Sequence, residues 1–198
     1  MKDRNTHYVK STQRVHRFVE GVSAAVLRLN QAYEKRSAIE AVVLSAVLID
    51  ATLRIGLLMH KQLEQKTNEV DESFVYQANA DKMISERNVM KLARSANILT
   101  EIQFHELESL YDMRNKCVHR YVISDINYEY MTQLVFAYAE AMDFVNNAVR
   151  KIEKMQLEAG CGIVVATGDK EKANYEQIFL GWCVDMAKTK ERRPNTDG

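Results

Sequence analysis

The sequence predicts an all-α fold, and three observations carry that prediction. Glycine and proline are scarce, at 7 and 1 in 198 residues. Both weaken helix interiors, glycine through backbone entropy and proline through a lost N–H and a ring clash, so their scarcity favours long helices. Apolar residues recur at three- and four-residue spacing along most of the chain, the period that lines one face of a helix. Good cap residues then separate these stretches at short corners.

The first helix is expected over 11–34, where Val15, Phe18, Val19, Val22, Val26 and Leu29 share one face. The second spans 36–65. Its first half, IEAVVLSAVLI, is apolar on nearly every side, which marks a central helix covered by several neighbours. Residues 66–80 are polar and irregular and read as a loop with one short element. A third helix covers 81–95, and Asn97 breaks it, with Ile98 and Leu99 packing at a tight corner. Thr100 is a good N-cap, and Gln103 three residues on completes a capping box. The helix that starts there runs through FHELESLYDMRNKCVHRY. Ser124 or Asp125 is expected to cap the next, which continues to a stop before Gly160. CGIVVAT, with its β-branched residues, reads as a short strand or extended connector, and a last helix follows over 170–190. Short corners predict that sequential helices pack antiparallel. The expected organisation is therefore an antiparallel bundle over 1–159, with a C-terminal extension over 160–198 packed on or near it.

Composition sets limits on function. Residues are 46% hydrophobic and 27% charged, ordinary for a globular protein. Lysine plus arginine equals aspartate plus glutamate at 27 each, so the chain lacks the basic excess typical of a protein that grips a long nucleic acid. RNA binding would need a local basic patch or a short substrate. Residues 1–17 offer Lys2, Arg4, Lys10, Arg14 and Arg17 against Asp3 alone; 188–193 offer Lys188, Lys190, Arg192 and Arg193. Cys117, Cys161 and Cys183 are odd in number and widely spaced, which is no disulfide framework and suits a reducing compartment. No histidine or cysteine pair has zinc-ligand spacing. The longest apolar stretch, Ala41 to Ile49, is too short to span a bilayer. A cytoplasmic protein needing no metal or cofactor is expected.

Chemistry concentrates in Arg114-Asn115-Lys116-Cys117-Val118-His119-Arg120-Tyr121. On a helix Leu107, Tyr111, Arg114 and Val118 form one stripe, and Glu108, Asp112, Asn115 and His119 a second, polar one. A guanidinium on an apolar stripe is costly unless it is paired or lines a cleft. Arginine presents a rigid fork of donors suited to phosphate. Histidine, which titrates near neutral pH, can pass protons. Together they form a minimal kit for cutting RNA. The imidazole deprotonates the 2′-hydroxyl or protonates the leaving 5′-oxygen, and the guanidinium stabilises charge on the phosphorane. Five residues separate the two, about 140° around a helix, so one straight helix does not aim both at one phosphate. Two copies meeting across a two-fold axis would. The structural alternative has Arg114 bridging helices to an acid such as Asp112 or Glu108, and His119 ending a helix where its positive charge suits the dipole. Arg54 and His60 form a looser second match, in which Arg54 is expected to pair with Asp50 one turn earlier and His60 to lie in solvent.

This segment resembles the HEPN superfamily, whose motif is an arginine, four to six residues, then a histidine, often with a polar residue after the arginine, here Asn115. Arg-x4-His-x-Tyr is similar to the HepT toxins of HEPN–MNT toxin–antitoxin systems. The resemblance covers roughly 11–158 at bundle level and implies a dimeric, metal-independent endoribonuclease, a toxin or phage-defence effector. Arg114 and His119 would be catalytic, and Asn115 would orient the phosphate or the histidine. Lys116, Arg120 and the basic start would hold flanking phosphates. Tyr121 would match the tyrosine that a partner nucleotidyltransferase antitoxin modifies with AMP. The alternative within the same resemblance is an inactive HEPN module that dimerises and binds a nucleotide or a partner protein.

Overall fold

The computed structural model describes residues 2–77 and 84–163, with side chains from Gln13 onward. The described residues form five α-helices: α1 (Lys2–Glu34), α2 (Ala38–Gln65), α3 (Glu86–Ser95), α4 (Glu101–Arg120) and α5 (Tyr128–Ala159). One-turn 3-10 helices sit at Glu72–Phe74 and Tyr121–Ile123. The all-α expectation holds, and no strand occurs among the described residues. Of the CGIVVAT segment, only Cys161, Gly162 and Ile163 are described; the rest, and the helix expected at 170–190, lie outside the described residues.

α2 is the central helix and touches every other helix. Its apolar side chains Val42, Leu48, Leu53 and Leu58 are all but fully buried. By length and composition it meets the requirement for crossing a membrane, which counting only the apolar stretch Ala41–Ile49 understated: Asp50, Thr52 and Arg54 interrupt the helix without ending its apolar character. Here its apolar surface is covered largely by the bundle. At Gly56, α5 approaches α2 closely. A Cβ there would lie 2.8 Å from Val149 Cγ2, so any side chain would push the two helices apart.

Helix directions depart in part from the expectation. α3 and α4 are joined by a short corner and run antiparallel, as do α4 and α5, where Tyr138 Oη donates to the Leu110 carbonyl at 2.9 Å. α2, however, runs parallel to α5: Gly56 abuts Val149, and three residues on, the Met59 carbonyl accepts from Gln156 Nε2 at 2.9 Å. α2 also runs parallel to α3, with Asp50 near Glu86 and Gly56 near Ile98. The physical reason is connection length. Short corners reverse direction, whereas the long connection 66–85 has chain enough to bring α3 back alongside the middle of α2.

The ends of the helices follow local chemistry. Asn97 adopts φ 55° and Ile98 and Leu99 are buried, which makes the tight α3–α4 corner. The capping box forms: Thr100 Oγ1 accepts from the Gln103 N–H at 3.3 Å, and Gln103 Oε1 accepts from the Thr100 N–H at 3.0 Å. α3 starts later than expected, at Glu86, behind a Ser85 cap that accepts from the Asn88 N–H. α1 starts earlier, at Lys2. The cap of α5 is Asn127, whose Oδ1 accepts from the Tyr130 N–H at 2.9 Å, rather than Ser124 or Asp125. The 3-10 turn Tyr121–Ile123 and an extended Ser124 use up that stretch first. α5 stops at Gly160, with φ 64°, as the sequence predicts.

Beyond that stop the chain folds back on the bundle. The Gly162 N–H donates to Asn68 Oδ1 at 2.7 Å, and the Ile163 N–H donates to Gln62 Oε1 at 3.0 Å. Gln62 and Gln156 are both buried, and Gln156 Nε2 donates to Gln62 Oε1 at 3.0 Å. These amides satisfy backbone groups that would otherwise be buried without partners.

Candidate functional site

α4 carries Arg114, Asn115, Lys116, His119 and Arg120 on one unbroken helix. Its core face runs through Phe104, Leu107, Leu110 and Cys117, all buried. The stripe expected through Leu107, Tyr111, Arg114 and Val118 therefore drifts at its end: Cys117 turns inward and Val118 is 46% exposed. Burial pushes the Cys117 thiol pKa up, which keeps it a thiol.

Arg114 is half-buried, its side chain 16% exposed. Nη1 donates to Glu86 Oε2 at 2.8 Å and Nη2 donates to Asn115 Oδ1 at 3.1 Å. Its Cζ lies 4.7 Å from the Tyr111 ring centroid, a cation–π contact. The guanidinium is thus fixed by an acid, an amide and an aromatic face. The acid is Glu86 of α3; Asp112 and Glu108, the partners expected of a structural bridge, are engaged elsewhere. Asp112 Oδ1 accepts from Arg87 Nη2 at 2.5 Å, and Glu108 Oε2 lies 3.5 Å from His105 Nδ1. Arg87 Cζ also sits 4.7 Å from the Tyr111 centroid, so two guanidiniums share one ring.

Behind Glu86 lies a second charge pair. Arg54 Nε donates to Asp50 Oδ2 at 2.7 Å, as the one-turn spacing predicts. Arg54 also donates to the Phe74 and Ile84 carbonyls at 3.4 and 2.8 Å, tying both flanks of the 66–85 connection to α2. Asp50 Oδ1 is buried with no hydrogen-bond partner among the described residues. Asp50, Glu86, Met90 and Tyr138 border a small void there. Burial raises the Glu86 pKa, the Arg114 guanidinium opposes that rise, and Asp50 and Arg54 act more weakly in opposite senses. Burial likewise pushes the Tyr138 hydroxyl up.

His119 lies in the last turn of α4, exposed, and makes no hydrogen bond or ion pair to a described residue. Lys116 and Arg120 are exposed beside it. Tyr121 opens the 3-10 turn and is 38% exposed. Arg114 is thus brought together with Asn115, Tyr111, Glu86 and Arg87, while His119 stands one turn further on, facing solvent. His60, of the looser match, lies 3.7 Å from Glu64 and is only partly exposed.

Near His119 in sequence, several large apolar side chains are exposed. Val118, Val122, Ile123 and Tyr128 are 46%, 92%, 82% and 65% exposed. They follow one another from the end of α4 through the 3-10 turn to the start of α5. A cluster of exposed aliphatic and aromatic side chains is a feature of interaction surfaces.

Sequence reasoning placed Tyr111 on the Arg114 stripe but missed Glu86 and Arg87 as parts of this constellation. A signal existed. In an antiparallel hairpin, residues equidistant from the corner face one another, and Glu86 and Arg114 lie equally far before and after Thr100. No family model matches the chain, and no curated protein or solved structure matches it.

Proposed function

We propose that the chain is a metal-independent endoribonuclease of HEPN type, acting as a cytoplasmic homodimer in which Arg114 and His119 of both copies form one composite site. The observation that carries this reading is the contrast on α4. A guanidinium is fixed in orientation, and an imidazole one turn later is unpaired and open to solvent. Exposed apolar residues flank that imidazole, which suits burial against a second copy of the same corner.

In the proposed reaction His119 takes the proton of the 2′-hydroxyl, whose oxygen attacks the adjacent phosphorus. The bond from phosphorus to the 5′-oxygen breaks, and the leaving oxygen receives a proton from the imidazolium of the partner copy. The products are a 2′,3′-cyclic phosphate and a 5′-hydroxyl. Arg114 stabilises the phosphorane, and its fixed geometry lowers the reorganisation cost of doing so. Asn115 holds one edge of that guanidinium. Lys116 and Arg120 hold flanking phosphates. Tyr121, exposed two residues beyond the histidine, suits modification by a nucleotidyltransferase antitoxin.

The test is cleavage of single-stranded RNA by purified protein in a chelator, wild type beside His119→Ala. A fall of about a hundredfold or more in rate is expected for the variant, together with loss of growth inhibition on expression. Equal rates would sink the proposal. A second reading, the inactive dimerising module, is favoured by the Glu86 contact, which is also how a purely structural arginine would be satisfied. It requires that the wild type leave RNA intact.

A further inference from the structure

Among the described residues, four arginines stack on aromatic rings: Arg14 on Tyr76, Arg94 on Phe104, and both Arg87 and Arg114 on Tyr111. Arg14 borders an open groove with Arg17 and Tyr76, but its ion-pair partner Glu72 is itself half-buried, so its charge is locally neutralised. Arg94 is at the far end of α3, paired with Glu101. Arg87 differs from both, because it shares its ring with the candidate catalytic arginine.

Glu86 and Arg87 are neighbours on the first turn of α3, and both reach α4. One holds Arg114; the other lies over Tyr111 and pairs with Asp112. The Arg87 and Asp112 side chains are 45% and 58% exposed. A pair so exposed contributes little, so a phosphate can displace Asp112 at small cost. Arginine binds phosphate through charge-assisted, often bidentate, hydrogen bonds. The Tyr111 ring keeps the guanidinium plane in place while the partner changes.

We propose that Arg87 binds a phosphate of single-stranded RNA adjoining the one held at Arg114. The inference rests on the ribonuclease reading and extends its site from α4 to the first turn of α3.

The test uses a fluorescein-labelled single-stranded RNA of mixed sequence. Anisotropy is measured over a range of salt concentrations in the non-cleaving His119→Ala protein. Adding Arg87→Ala is expected to weaken binding about five- to tenfold at low salt. It should also reduce the log–log salt slope by about 0.7, the value for one phosphate neutralised on a single strand. Arg87→Lys keeps the slope. Asp112→Asn, which leaves Arg87 untouched but removes its competitor, is expected to tighten binding. That variant keeps the test decisive should Arg87→Ala fold poorly. If otherwise wild-type protein cleaves RNA but neither Arg87→Ala nor Asp112→Asn alters binding, the inference fails and the ribonuclease reading stands. If protein bearing no substitution neither binds nor cleaves RNA, both fall.

Discussion

The contact between Glu86 and Arg114 sets what either residue does alone. Both are less than a quarter exposed, at 22% and 16%, so removing one leaves a charge in a poorly solvated place. Arg114→Ala is expected to destabilise the fold by about 2 kcal/mol near neutral pH, because the charged hydrogen bond and the cation–π interaction both disappear. The pH dependence identifies the cause. Burial already raises the Glu86 pKa from its ordinary value of 4.5, with Arg114 the chief opposing influence. A raised carboxyl binds its proton more tightly folded than unfolded. Its stability contribution is therefore fully present below the unfolded value and is lost as pH climbs through the folded one. Without Arg114 the folded value climbs further, so the deficit of the variant widens as pH rises through the mildly acidic range. Below the ordinary carboxylate range Glu86 is protonated in both states and the deficit shrinks. Thermal melts of both proteins across that range check this, and a deficit independent of pH would show that Glu86 is not what Arg114 neutralises.

At the scale of the element, α4 depends on its first turn to hold the residues of its last. Thr100→Ala removes the acceptor of the Gln103 N–H, an exposed bond, and is expected to cost about 1 kcal/mol. In a domain of this size that lowers the melting temperature by about 2–4 °C. Thr100→Ser keeps the oxygen and should melt like the wild type; an alanine variant equal to serine would mean the box contributes nothing. This cap was legible in the sequence because it is local: four consecutive residues contain the whole interaction. The stop at Gly160 and the Asp50–Arg54 pair were legible for the same reason. The α5 cap was misplaced because Ser124, Asp125 and Asn127 are all good acceptors, and only the intervening 3-10 turn selects among them. Glu86 lay furthest from view. In a helix expected to begin at 81, Glu86 falls in the interior with nothing to set it apart, and its partner is 28 residues away. The chemistry of Arg114 raised the question of a partner; only the register of the α3–α4 hairpin answers it.

Across the whole molecule, burial followed hydrophobic periodicity closely, with α2 central as its composition requires, but periodicity carries no information on helix direction. That came from connection length and from Gly56, which admits α5 alongside α2. Among the described residues, the two most exposed large apolar side chains are neighbours at the α4–α5 corner. Val122 and Ile123, at 92% and 82% exposed, contribute almost nothing to the core, so a charge at either should leave the monomer intact. They flank His119 and Tyr121 in sequence, and five-residue spacing on one helix turns Arg114 and His119 in different directions. If two copies close the site, this corner is the surface that must be buried between them. Val122→Asp with Ile123→Asp places like charges in an isologous contact, where every substitution is met twice. Dimer dissociation is expected to become about 100-fold easier, or about 2.7 kcal/mol, with an unchanged helical circular dichroism spectrum and melting curve at low concentration. Sedimentation over a concentration series reads this directly, and RNA cleavage should fall in parallel with the dimer fraction. A doubly charged variant that stays dimeric would place the seam elsewhere, and one that turns monomeric yet cleaves at the full rate would remove the composite site altogether.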